Sequence, residues 1–141
     1  MTRNARSIIV AVKGVILHQG RILLVQRAAA DAIGAGSWEC PGGKIEFGEG
    51  LEAALEREIK EETGLKVTVE KLLYAVSFLT NPGRQLVLIT YWCMTGENTV
   101  VLSDEHADYK WCTRHELQTL LPPGIQEEFE KSNVFSSEEL L

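Results

Sequence analysis

Cysteine is scarce in this chain, and its three copies, Cys40, Cys93 and Cys112, share no CxxC spacing. An odd number without metal-ligand spacing excludes a disulfide framework and argues against a zinc centre. It fits buried, reduced thiols and a cytoplasmic location. Basic residues are also in the minority, with 14 Lys and Arg against 20 Asp and Glu, for a formal net charge of -6. Coating nucleic acid or an anionic membrane needs clustered cations, so neither is an expected partner. Aromatics make up 7% of the chain and are scattered, which leaves no stacking platform for single-stranded nucleic acid. Apolar runs such as Ile8–Val12 and Gln85–Thr90 are short, against the roughly 20 residues of a membrane helix. The polar, basic opening MTRNARS leads into a strand-like run interrupted by Lys13, unlike a secretory signal.

What is present suffices for one domain: 141 residues, 45% of them hydrophobic, with no internal repeat or linker-like tract. The expected organisation is a loose N-terminus over residues 1–6, one domain over 7–132, and a tail over 133–141 with little to pack against. SIIVAVKGVIL and RILLVQR read as strands joined by a turn at His18, Gln19 and Gly20. KVTVEKLLYAVSFLT and QLVLITYWCMT read as long antiparallel strands around Asn81, Pro82 and Gly83. DYKWCT is a further short strand, and HELQTLL and IQEEFEKS are helices divided by Pro122, Pro123 and Gly124.

The segment from Gly50 to Glu62 has a helical period, and Gly64 suits the left-handed residue that closes a helix. At about 100° per residue from Leu51, Leu55 falls at about 40°, Glu58 at about 340°, Glu61 at about 280° and Glu62 at about 20°. The three carboxylates thus continue the leucine stripe, while Glu56 and Lys60 form an i,i+4 pair on the opposite side. Mutually repelling, inward-facing carboxylates are costly unless a cation sits among them. Two readings follow: Arg57 and a strand lysine neutralise them, or they bind a hard divalent ion, since carboxylate oxygens suit magnesium or manganese.

From Gly43 the chain runs Gly, five residues, Glu49, seven residues, Arg57-Glu58-Ile59, one residue, Glu61-Glu62, one residue, Gly64-Leu65. This pattern over 43–65 resembles the box of the Nudix hydrolase family, with no departure at any fixed position. The preceding WECPGG, the Gln26-Arg27 that ends the first hairpin, and the downstream strands resemble a small MutT-like member. The resemblance implies an α/β (α+β) fold, an α/β/α sandwich with a curved mixed β-sheet. It also implies magnesium-dependent hydrolysis, with manganese as an alternative, of a nucleoside diphosphate linked to another group.

The resemblance also implies roles. Glu58, Glu62 and Glu61 would be metal ligands, joined by the Gly42 carbonyl, and Glu61 would otherwise be the water-activating base. Arg57 would orient Glu58, and Glu105 stands where MutT-like enzymes carry a further catalytic or metal-binding glutamate. Arg27 and Lys44, cations flanking the expected cleft, would each grip a phosphate or form a surface salt bridge, Gly43 would let the backbone come close to substrate, and Trp38 would pack under WECPGG or stack on a base. Glu49 fits the box and equally the N-terminal dipole of the helix. His18, His106 and His115 stand alone and read as structural.

The expected substrate is a nucleoside triphosphate or related nucleotide, released as the monophosphate. Gly124, Ile125 and Gln126 lie where the enzymes that remove oxidised guanine nucleotides carry an asparagine, which weakens that assignment. An ADP-ribose or dinucleotide pyrophosphatase and a non-hydrolytic nucleotide sensor remain alternatives, and an exposed edge strand would support a homodimer.

Overall fold

The computed structural model describes residues 5–28 and 36–141. The expectation for residues 1–4 of the N-terminus lies outside them. Strand β1 (Ser7–His18) turns into β2 (Arg21–Arg27) through Gln19 and Gly20. Both turn residues have positive φ, 48° and 82°, which suits the right-handed twist of a two-residue hairpin. The hairpin is brief: β1 and β2 pair at Leu17↔Ile22 and His18↔Arg21 and then separate. Beyond that point β1 pairs with β4 (Gly42–Lys44) through Ala11–Lys13, and β2 pairs with β3 (Trp38–Glu39) through Val25 and Gln26. The seven-stranded sheet is therefore forked.

On its other edge β1 runs parallel to β6 (Arg84–Met94) from Ser7↔Arg84 to Leu17↔Met94. β6 pairs antiparallel with β5 (Thr68–Asn81), as expected, across a turn closed by Gly83 N–H donating to Asn81 Oδ1 at 2.9 Å. β7 (His106–Cys112) pairs antiparallel with β2. The sheet is mixed, with helices on both faces.

Alternation along the strands sorts the core into two layers. Val12, Ile16, Leu23, Tyr91 and Cys93 face α1 (Leu51–Thr63) and pack on its Ala54, Leu55 and Ile59. Val15, Leu17, Ile22, Leu24 and Trp92 face α2 (Arg114–Leu120) and α3 (Pro123–Lys131), meeting Leu117 and Phe129. Gly14 brings α1 close to the sheet, because a Cβ there would stand 2.9 Å from Ile59 Cδ1. α1 closes on Gly64 at φ 76°, whose N–H donates to the Lys60 carbonyl. α2 opens on a capping box of Thr113 and Glu116.

The tail is a correction to the sequence reading. Val134 and Leu140 are 1% and 4% exposed within the second layer, Leu141 N–H donates to the Gly20 carbonyl at 2.7 Å, and Arg114 Nη2 donates to the Ser137 and Leu140 carbonyls. Few apolar residues interrupt this polar stretch, but they join the cluster of Phe129 and of Leu17 and Ile22 in the first hairpin, which linear reading cannot show.

Phe129 is fully buried and in ring contact with Tyr74 and Phe135. Phe129→Ala should lower the unfolding free energy by about 3–5 kcal/mol. Denaturant titration checks this, and a loss under about 1 kcal/mol would mean that the α3 layer is not part of the cooperative core.

Candidate active site

Two glycines let the acidic end of α1 meet β4. Gly42 has φ 149°, and a Cβ on it would collide with the Val12 carbonyl oxygen. Its N–H donates to Glu62 Oε2 at 3.2 Å in a buried position. A Cβ on Gly43 would collide with the Glu58 carboxylate. Glu58 and Glu62, one helical turn apart on α1, are thus pressed against strand backbone rather than splayed into solvent.

Arg57 organises the outer half of the cluster. Its Nε and Nη2 donate to both Glu49 oxygens at 2.7 and 2.8 Å, its Nη1 to Glu58 at 3.0 Å and Glu61 at 3.2 Å, and its Nη2 to the Lys44 carbonyl at 3.2 Å. The bidentate grip of Arg57, with the Glu46 N–H, holds Glu49 down to about 2. Glu49 therefore ties the loop before α1 to Arg57.

Glu62 is different. It is 6% exposed, and burial pushes its carboxyl up to about 7, against the favourable charge of Lys13, the Gly42 N–H and His106, with Glu105 adding repulsion. Both cations of the neutralisation reading are in place, Arg57 at Glu58 and Glu61 and the strand lysine Lys13 near Glu62. They leave Glu62 undercompensated. Among the described residues, no three His, Cys, Asp or Glu side chains already stand together at metal-ligand spacing. Like charges separate without a cation between them, and here Glu58 and Glu61 turn to Arg57. The donor set still suits a hard ion, being all oxygen with one ligand-grade carboxylate buried.

Of the other residues expected here, Glu105 is exposed in the loop before β7, near enough to act on Glu62, and its carbonyl accepts from Ala28 N–H. Trp38 is half-buried and packs against the α2/α3 layer. Lys44 is exposed at the end of β4. Arg27 donates through Nε to Glu39 Oε1 at 2.8 Å.

Sequence reasoning passed over Glu39 and gave Lys13 no role by name. Lys13 Nζ bonds Glu39 Oε2 at 3.1 Å, and His106 Nε2 lies 4.0 Å from that oxygen. Burial opposes the charge on Glu39, but Lys13, His106 and Arg27 together outweigh it and hold the carboxyl down to about 2. The available signal was a lone lysine inside the apolar run SIIVAVKGVIL.

The family model described as NUDIX domain matches residues 7–132. The chain is 34% identical over 114 residues to the CTP pyrophosphohydrolase of Escherichia coli (strain K12), covering 80% of this chain and 82% of that protein. It is 31% identical over 116 residues to the nucleoside triphosphatase NudI of Enterobacter sp. (strain 638), covering 75% and 82%. Among solved structures, the MutT protein from Methanosarcina mazei Go1 superposes with a TM-score of 0.82 at 26% identity, covering 94% of this chain and 98% of that one.

A carboxyl whose pKa is raised on folding stabilises the fold while neutral and costs stability once ionised. In a metal chelator, stability should therefore fall as pH rises from about 4.5 to above about 7, by up to about 3 kcal/mol from Glu62. Glu39 and Glu49 are lowered and act only below that window. Glu62→Gln should flatten the fall and be the more stable protein at alkaline pH, as measured by urea titration at several pH values. An unchanged slope would show that Glu62 is not the group responsible.

Proposed function

This chain belongs to the NUDIX domain family of hydrolases acting on phosphoric anhydride bonds, and we propose that its substrate is a nucleoside triphosphate or related nucleotide, released as the monophosphate with magnesium as cofactor. The observation that carries this reading is the buried, undercompensated Glu62 beside Glu58, both held on the glycine backbone of β4. The names of two relatives, a CTP pyrophosphohydrolase and a nucleoside triphosphatase, support the substrate class.

Glu58, Glu62 and Glu61, with the Gly42 carbonyl, would hold magnesium, or manganese in its place. Bound there, the ion would neutralise phosphate charge and would lower the pKa of a water molecule. Water oxygen bonds to phosphorus while the anhydride P–O bond breaks, and the water proton passes to a carboxylate. Glu61 and Glu105, both exposed at the rim, are the candidates for that proton. Arg57 fixes the Glu58 and Glu61 carboxylates through the contacts of Nη1. Arg27 and Lys44 would meet the phosphates, Gly43 the approaching substrate, and Trp38 the floor beneath the base.

The free, buried state of all three cysteines supports a reducing, cytoplasmic setting. No helix among the described residues is long and apolar enough to cross a membrane. β5, on the sheet edge, exposes Leu72, Phe78 and Leu79, and a homodimer would form there.

Glu58→Gln should remain folded, with circular dichroism unchanged, while magnesium-dependent turnover falls on the order of a hundredfold or more. A screen of nucleoside triphosphates and diphosphate derivatives, CTP first, with products identified by mass, gives the substrate and the phosphorus attacked. Full activity in Glu58→Gln removes the proposed metal site, and a wild-type protein that cleaves nothing in the screen removes the reading.

A further inference from the structure

Facing the acidic helix across the fork is a second charged assembly that the box does not account for. Lys13 is on β1, Arg27 on β2, Glu39 on β3 and His106 on β7, and Glu39 joins them. Its two oxygens are divided between Lys13 Nζ at 3.1 Å and Arg27 Nε at 2.8 Å, with His106 Nε2 at 4.0 Å. The Lys13 and Glu39 side chains are only 16% and 18% exposed. The contact therefore spans the place where β1 and β2 separate, binding one wall of the fork to the other. Lys13 also pairs across the β1–β4 ladder with Gly42, whose N–H holds Glu62, and its ammonium is near enough to act on the Glu62 carboxylate.

For packing alone, apolar residues would close the fork at less cost than a lysine and a carboxylate largely removed from water, with a partly exposed arginine beside them. Lys13 instead brings a positive charge close enough to act on the Glu62 carboxylate. The bond to Glu39 uses one of the three Lys13 donors. A polyphosphate entering the fork carries anionic oxygens on every side, and the glutamate wall can receive only those screened by a cation. We propose that Lys13 is a direct ligand of substrate phosphate and that Glu39 is a positioning residue, holding Lys13 and Arg27 across the fork for that purpose. The proposal rests on the hydrolase reading for its substrate. The assembly itself requires only a polyphosphate.

The test uses full-length protein and two probes in magnesium, inorganic triphosphate and the non-hydrolysable α,β-methylene analogue of CTP, with affinities from calorimetry. Lys13→Met keeps the aliphatic stem and should weaken both probes about 10- to 100-fold, while Lys13→Arg recovers most of the loss. In turnover the Lys13→Met defect should appear in KM, with kcat within about threefold, because the contact is made in ground and transition states alike. Glu39→Gln should weaken binding about three- to tenfold, and the double variant should be no weaker than Lys13→Met, as expected for residues acting as one unit.

Wild-type affinity for both probes in a folded Lys13→Met overturns the proposal. So does unchanged anion affinity with tighter magnesium binding, which makes Lys13 a counter-ion of Glu62, and so does a wild-type protein that binds neither probe. If Lys13→Met does not fold, Lys13→Arg and Glu39→Gln decide: additive effects of Lys13→Arg and Glu39→Gln, or none from Glu39→Gln, overturn it. Lys13-dependent triphosphate binding by a wild-type protein that cleaves no nucleotide removes the hydrolase reading and leaves this one standing.

Discussion

A side chain on residue 42 or 43 would run into the Val12 carbonyl or the Glu58 carboxylate, so the contact between α1 and β4 exists because both positions are glycine. That contact determines much else. It buries Glu62 against a backbone N–H, it fixes which turn of α1 faces the fork, and it sets how closely Ile59 seats over Gly14. The two glycines act through the absence of a side chain, and Gly42 adds a backbone angle that other residues rarely adopt.

Charge in the cleft is arranged in two walls. On the helix wall, Arg57 binds Glu49, Glu58 and Glu61, a shared cation that keeps the carboxylates ordered without satisfying the innermost one. On the strand wall, Glu39 plays the reverse part, one carboxylate between two cations. Glu62 responds to the strand wall, its proton affinity raised by burial and by Glu105 and lowered by Lys13, the Gly42 N–H and His106. The neutralisation and metal readings of the acidic stripe share Glu58 and Glu61, which Arg57 holds, and part at Glu62, which burial leaves undercompensated.

Much of this could be read in advance, for reasons specific to each element. The span and C-cap of α1 follow from its own period and from Gly64. The β5–β6 pairing follows from two long β-branched runs around a turn signal. The seating of the C-terminal tail could not be read, since Val134 and Leu140 are buried by residues distant in sequence. Nor could the fork, because the hairpin signal between β1 and β2 is real but two short strands, β3 and β4, compete for their edges after the first pairs.

The chain by itself determined the acidic stripe of α1, the glycines that admit it, and the spacing of Arg57, Glu58, Glu61 and Glu62, because helical period and backbone freedom are local properties. Only the tertiary structure decided which carboxylate is buried, that Lys13 and Arg27 share Glu39 across separated strands, and that His106 stands beside them. Burial and charge pairing depend on distances between residues remote in sequence, and those distances are set when the sheet forks and α1 settles on β4.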